Sequence, residues 1–134
     1  MTKKRRSLKV PGITHGANPI PSGVRIGNML FSGGISGLDP ATNTIPPEIE
    51  KQAELTFQNL RRLLDAAGGS SDDIGHVTVY LTDLGHREHV NREWLKMFPD
   101  EDDRPTRHTL KADALPGNTL LQLQIIAVLD EQEA

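Results

Sequence analysis

Apolar residues recur along this chain at two spacings, and the longer spacing marks two helices. From Pro46-Pro47 to Gly68-Gly69 they return every three or four residues, which predicts an amphipathic helix. The prolines preset its start, Glu48 and Glu50 suit the positive end of its dipole, and the glycines end it. A second helix is predicted over residues 86–98. The inward positions are Ile49, Ala53, Phe57, Leu60, Leu64 and Ala67 in the first helix, and Val90, Trp94 and Met97 or Phe98 in the second.

The shorter spacing, an alternation of apolar and polar residues, predicts strands. The first two strands meet at Gly27-Asn28, a pair that suits the tight turn of a hairpin. The last two are joined through residues 115–118, where Pro116-Gly117 fits the centre of a type II turn, so we expect a second hairpin there. The predicted strands are residues 24–26, 29–32, 74–82, 106–112 and 120–129.

These elements follow one another as β–β–α–β–α–β–β, which predicts an α+β two-layer sandwich with both helices on one face of one sheet. The 134 residues form a single domain, 1–134, because they leave no room for a second. The basic block Lys3-Lys4-Arg5-Arg6 opens the chain, and we expect residues 1–9 to be a flexible tail.

The second face of the predicted sheet is polar but carries little charge. A solvated antiparallel face is one interpretation, and a semi-polar interface between subunits is the other. His108, Leu110 and Ala112 are expected on the helix side, opposite to Arg107. The residues assigned to the open face are His76, Thr78, Tyr80, Arg107, Thr109, Lys111, Gln122 and Gln124, with Ile126 and Val128 nearby.

Composition and charge exclude several classes of function. The chain has no cysteine, so disulfides, thiolate metal sites and a cysteine nucleophile are excluded. A net charge of −3 and only five aromatic residues argue against nucleic acid as a partner. No apolar segment approaches the ~20 residues of a membrane span, so we expect a cytoplasmic protein without a membrane partner.

Two other constellations carry little chemistry. His86, His89 and Glu93 have a spacing that could place three metal ligands on one helix face, but no fourth ligand follows at a telling distance, so no metal is predicted. The glycine-rich segment 33–37 lacks the Gly-Lys-Ser/Thr ending of a phosphate loop, and Ser36 does not lie in a nucleophile elbow.

Four stretches, taken together and in this order, resemble the RidA/YjgF family of trimeric enamine/imine deaminases, once called L-PSP endoribonucleases. The resemblance spans residues 18–129, nearly the whole domain. The stretches are Gly27-Asn28-Met29-Leu30-Phe31-Ser32-Gly33; Gln52 with Asn59-Leu60 and Ala66-Ala67-Gly68; Val79-Tyr80-Leu81-Thr82-Asp83-Leu84 with Val90-Asn91; and Arg104-Pro105-Thr106-Arg107 with Leu115-Pro116 and Ile126-Ala127-Val128.

This resemblance implies a chorismate-mutase-like fold, a homotrimer formed through the open sheet faces, and a cleft at each subunit boundary. It also implies that Arg107 grips the carboxylate of a small substrate, since a guanidinium gives a carboxylate two parallel charge-assisted bonds. The remaining positions that the resemblance places in the cleft are Ser32, Gly33, Asn91, Ile20 and Pro116.

The sequence departs from the family pattern at three places in the expected cleft. Gln122 stands where active deaminases have the glutamate that positions the attacking water. Asn18-Pro19-Ile20 replaces a Gly-Pro-Tyr stretch, and Gly34 replaces a common glutamine. We therefore expect Arg107 to bind a carboxylate as in the family, whereas the position that orients the attacking water is changed to Gln122.

The leading hypothesis is a deaminase that hydrolyses small 2-imino or enamine carboxylic acids to 2-oxo acids and ammonia. Arg107 would bind the carboxylate and Gln122 would orient the water. No cofactor is expected, because a protonated imine carbon is already electrophilic. The alternative is a non-catalytic trimer that binds small carboxylates or 2-oxo acids. A ribonuclease activity ranks below both, since neither a general acid–base pair nor a basic groove is evident.

Overall fold

Six strands and two helices make up the chain in a computed structural model that describes residues 4–13 and 15–130. The strands are β1 (Arg5–Leu8), β2 (Gly23–Ile26), β3 (Met29–Ser32), β4 (Ile74–Leu81), β5 (Thr106–Lys111) and β6 (Leu121–Val128); the helices are α1 (Ile49–Ala67) and α2 (Arg87–Met97). They form one sheet in the order β1-β2-β3-β6-β4-β5, in which only β4 and β5 are parallel neighbours. The predicted α+β sandwich is confirmed, and its sheet is mixed.

Helix α1 begins and ends where its sequence predicts. The residue before Ile49 is extended, and Gly68 adopts a left-handed conformation with φ +77° at the other end. The amides of Gly68 and Gly69 bond the carbonyl oxygens of Asp65 and Leu64, which satisfies the last turn of the helix. Glycine at this position therefore stops the helix and turns the chain towards β4.

The core lies between the helices and one face of the sheet. Alternate residues of the two central strands are buried on that face, as the period-two pattern predicts. Both helices cover these strands with their apolar sides. The buried residues are Val77, Val79, Leu81, Leu121, Leu123 and Ile125 from the sheet, and Phe57, Leu60, Leu64, Val90, Trp94 and Met97 from the helices.

The predicted hairpin between the last two strands is wrong. β5 is an edge strand that pairs in parallel with β4, whereas β6 lies between β3 and β4. A turn does form here, but it is shifted by one residue from the predicted one: the Thr119 amide donates a 3.1 Å bond to the Pro116 oxygen, so Gly117 and Asn118 are its central residues. It bends a connection that must pass β4 to reach the next strand, and a local turn signal does not reveal that crossing.

The predicted faces of β5 are also reversed. Arg107 is in register with the buried Val77, so it points to the helix side, as do Thr109 and Lys111. His108 is in register with Thr78 on the open side, where its ring lies edge-on to His76 with centroids 5.2 Å apart. The assignments on β4 and β6 are confirmed, because Thr78 pairs with Gln124, Tyr80 with Gln122 and His76 with Ile126 on the open face.

The expected flexible tail is wrong for the residues that form β1. Arg5 to Leu8 pair with β2 along its free edge, from Ile26 back to Gly23. Val10, two residues later, is buried in the core and anchors the strand. The pairing satisfies a sheet edge that would otherwise be open, which explains why a basic segment becomes ordered. Residues 1–3 lie outside the described part of the chain.

Candidate functional site

A pocket of about 310 Å³ opens at the end of the open sheet face beside β6. Its walls come from three connections: the segment between β1 and β2, which we call the arm, the loop after β3 and the turn before β6. Among the described residues, no carboxylate lines it, and apolar and small polar side chains alternate around it. The lining residues are Ile13, His15, Asn18, Gly34, Ser36, Leu38, Ile45, Pro116, Gly117, Thr119 and Gln122.

Gln122 occupies this pocket because residue 34 has no side chain. A Cβ atom on Gly34 would come within 2.5–2.8 Å of the amide carbon, nitrogen and oxygen of Gln122. A close backbone approach of this kind is a common reason for glycine outside a turn. The departures at positions 34 and 122 are therefore one structural feature, in which the amide lies across the loop backbone.

His15 contacts the same glycine from the arm. Its Nε2 atom lies 3.2 Å from the carbonyl oxygen of Gly34. A carbonyl oxygen only accepts, so Nε2 carries the proton and Nδ1 holds the lone pair of the neutral ring. His15 could not be predicted from the sequence, because a single histidine in a Pro/Gly-rich segment gives no periodic signal.

Of the other predicted cleft residues, Pro116, Ile20 and Gly33 lie at or beside the pocket, whereas the side chain of Ser32 does not line it. Pro116 lines the pocket, and Ile20 is exposed in an adjoining pocket of about 220 Å³ that also contains His15. Gly33 borders the His15 ring. Ser32 is buried, and its hydroxyl accepts a 2.8 Å bond from the Ile125 amide, so this side chain joins β3 to β6.

Arg107 lies away from this pocket, at the β5 edge of the helix side. Its guanidinium carbon is 5.0 Å from the centre of the Trp94 ring, and its Nε donates a 2.9 Å bond to the Thr109 hydroxyl. Half-burial, with the nearby positive charge of Arg87, lowers the pKa of Arg107. No described carboxylate is paired with it. A half-buried cation without an anionic partner is a candidate anion site.

Helix α2 brings the remaining predicted residue to the same place. Arg87, Asn91 and Trp94 follow one another at four- and three-residue steps and so share one side of the helix. We call these three residues and Arg107 the arginine cluster. The sequence pattern predicts Asn91 and Arg107 as site residues, indicates Trp94 only as a core residue and does not single out Arg87.

One chain therefore holds two separate half-sites. Gln122 is on the open face of β6, whereas Arg107 is on the helix face of β5, with β4 between the two strands. The sheet itself stands between the two side chains. A small substrate cannot contact both of them within one chain.

His86 and His89, whose spacing could have placed them on one helix face with Glu93, do not converge with that residue. The rings of His86 and His89 are 6.3 Å apart, while Glu93 is buried and accepts a 3.0 Å bond from Lys96. In the described residues there is no cluster of three or more side chains that could hold a metal ion. None of their helices is long and apolar enough to cross a membrane.

The family model described as Endoribonuclease L-PSP matches residues 15–129. The chain belongs to the RidA/YjgF family. It is 35% identical over 130 residues to an Escherichia coli K12 protein with the provisional name reactive intermediate deaminase TdcF, covering 96% of this chain and 98% of that protein. A RutC family protein of Aquifex aeolicus is 28% identical over 92% of this chain and 98% of its own length.

Solved structures of this RidA/YjgF group share the fold. Escherichia coli TdcF with bound serine superposes with a TM-score of 0.84 at 29% identity, over 93% of this chain and 98% of that one. RidA from an Antarctic Psychrobacter has a TM-score of 0.84 at 25% identity, over 92% and 99%. The described structure thus has the fold of a RidA-type subunit.

Proposed function

We propose that this protein hydrolyses small 2-imino or enamine carboxylic acids to 2-oxo acids and ammonia, at sites shared between the subunits of a homotrimer. Its relative TdcF is named a reactive intermediate deaminase and binds serine, a small molecule with a carboxylate. Membership of the same family supports the same class of reaction here. The protein would act in the cytoplasm as a single domain and without a cofactor.

The separation of Arg107 from Gln122 carries this proposal. A cation without a carboxylate partner and a pocket without a carboxylate are complementary halves of an anion-binding site. In a trimer, the arginine cluster of one subunit would close the pocket of its neighbour. The open face offers apolar side chains for such an assembly, namely Phe31, Leu110, Ile126 and Val128, each 37–49% exposed.

The residues then divide the chemistry between them. Arg107 and Asn91 of one subunit hold the substrate carboxylate, with Arg107 giving two parallel bonds that also orient it. On the neighbouring subunit, the backbone at Ser32-Gly33, Ile20 and Pro116 confine the rest of the molecule. The amide oxygen of Gln122 accepts a bond from the attacking water and directs its lone pair at the imine carbon.

Ammonia release from 2-iminopropionate, generated in the assay, tests this function against the spontaneous rate. We expect wild type to exceed that rate, Arg107→Ala to fall to it, and Gln122→Glu to rise above wild type, since a positioned base is worth ~10²–10⁴-fold. Equal rates for all three proteins and for buffer would contradict the proposal.

A binding protein is the second candidate, favoured by the lack of a carboxylate in the described pocket. Calorimetry with pyruvate or 2-oxobutyrate should show binding that Arg107→Ala weakens by about 1.5–3 kcal/mol per lost charge-assisted bond. Binding without turnover would favour this candidate. Unchanged affinity in the variant would mean that Arg107 has no part in ligand recognition.

A further inference from the structure

The proposed hydrolysis lacks a proton acceptor in the pocket as described so far. Water must lose a proton when it attacks the imine carbon, and the departing nitrogen must gain one. The amide of Gln122 orients water but takes no proton at neutral pH. The Asn18 amide and the hydroxyls of Ser36 and Thr119, which also line the wall, are equally poor bases.

His15 supplies the one imidazole among the described residues that line the pocket, and imidazole is the side chain that most often serves as a general acid or base in enzymes. Resting on the proposed function, we propose that His15 is the general base and acid of this site, in the role left open where glutamate is replaced by Gln122. Neither the family match nor the names of the relatives assign this residue a role.

The contacts of His15 define which ring nitrogen can accept a proton. Nε2 donates to the carbonyl oxygen of Gly34, so the lone pair is on Nδ1. No described residue bonds Nδ1. The same Gly34 supports the Gln122 amide, so the group that would orient water and the group that would deprotonate it meet at one backbone residue. The arm itself is held by a 3.3 Å bond from the Asn18 amide to the His15 oxygen.

One imidazole is sufficient for the proton transfers of this hydrolysis, because it takes a proton in the first step and returns it in the second. As the water oxygen bonds to the iminium carbon, the C=N π electrons move to nitrogen and Nδ1 takes a proton from the water. The resulting carbinolamine nitrogen then receives that proton from the imidazolium. The C–N bond breaks towards nitrogen while the hydroxyl oxygen forms the C=O bond, and the hydroxyl proton leaves with ammonia as ammonium.

If His15 were only structural, its role would be the bond to the Gly34 oxygen. One substitution separates that structural role from the proposed role as general base and acid. His15→Gln keeps a side-chain N–H for the Gly34 oxygen but carries no titratable nitrogen. We expect its kcat for 2-iminopropionate to fall by ~10²-fold or more, with the affinity for 2-oxobutyrate changed less than about twofold. His89→Gln is the matched control: this histidine faces Glu50 of α1, outside the pocket and the arginine cluster, and the variant should keep the wild-type kcat.

The double variant His15→Gln with Gln122→Glu provides the decisive comparison. A carboxylate at position 122 supplies the missing base from the other side of Gly34. We therefore expect the kcat of the double variant to be at least tenfold higher than that of His15→Gln alone. A purely structural role for His15 predicts no such rescue.

The outcomes separate this inference from the proposed function. An active wild type with an equally active His15→Gln variant would overturn the role of His15 and leave the deaminase intact. A parallel loss of kcat and ligand affinity, without rescue, would show that His15 only shapes the pocket. Wild type at the spontaneous rate would overturn both.

Discussion

Two arginines contrast a structural role, at Arg25, with the ligand-binding role proposed for Arg107. Arg25 is 4% exposed, and its guanidinium donates to the carbonyl oxygens of Gly27, Ala67 and Asp130 at 2.8, 3.2 and 3.1 Å. It therefore joins β2 to the end of α1 and to the segment after β6. Arg107 bonds one hydroxyl and covers the Trp94 ring.

This contrast predicts opposite effects on stability. Folding lowers the pKa of Arg107, so its charged form is less favourable in the folded protein, and Arg107→Gln should leave the free energy of unfolding unchanged or slightly higher. Arg25→Gln leaves buried carbonyl groups unbonded and should cost about 2–4 kcal/mol. Urea unfolding of both variants at one protein concentration measures this. Equal losses would contradict the assignment of Arg107 to ligand binding.

Gly34 yields a second prediction at this scale. An added Cβ would collide with the Gln122 amide, so Gly34→Ala should displace that amide and lower turnover roughly 10–100-fold while the protein stays folded. Gly75→Ala is the matched control, because its Cβ would meet only the Ile126 oxygen at 3.8 Å. Steady-state kinetics and circular dichroism on both variants would decide it. Full activity in Gly34→Ala would mean that Gln122 need not lie where it does.

At the level of the elements, α1 holds the pocket walls as well as the core. Gln52 is fully buried, and its Nε2 donates to the carbonyl oxygens of Pro46 and Asn118 at 2.8 and 3.0 Å, while its Oε1 accepts from the Leu120 amide at 2.8 Å. Asn59, two turns later, donates to the oxygens of Ser36 and Leu38. The helix thereby fixes three separate loops around one opening.

Removing one of these side chains should weaken both stability and binding. Gln52→Leu leaves two carbonyls and one amide without their bonds, so we expect a loss of about 2–4 kcal/mol and weaker binding of 2-oxobutyrate. Gln58→Leu, exposed on the same helix, should change neither. Chemical unfolding together with calorimetry on the two variants measures this. A stable Gln52→Leu protein with normal affinity would show that the conformations of these loops do not depend on the hydrogen bonds of Gln52.

The elements were more predictable from sequence than their neighbours in the sheet. The long apolar stripe of α1 ends at glycines, so its bounds could be predicted. β5 has no buried residue, and its one large apolar side chain, Leu110, faces outwards, so its alternation does not indicate which side meets the helices. Its parallel pairing with β4 depends on a tertiary crossing that leaves no local signal. The sequence pattern therefore places Arg107 on the wrong face of the sheet.

For the whole molecule, the open face should determine the oligomeric state. Glutamate at Ile126, in the middle of the exposed apolar group on that face, would place a charge in the proposed interface. We expect wild type to have about three times the 14.7 kDa chain mass by light scattering, and Ile126→Glu to approach the mass of one chain and lose turnover. Gln58→Glu adds the same charge on the outside of α1 and should stay trimeric. A monomeric wild type would contradict the shared site.

Two defective alleles of this protein should complement each other. An Arg107→Ala chain retains an intact pocket, and a His15→Gln chain retains an intact arginine cluster, because the sheet separates the two groups in every subunit. Any trimer that contains both kinds of chain has one boundary at which two sound halves meet. Random assembly from equal amounts should recover about one quarter of wild-type activity, by the cyclic symmetry of the ring. Cells that express both inactive chains would then be deaminase-positive.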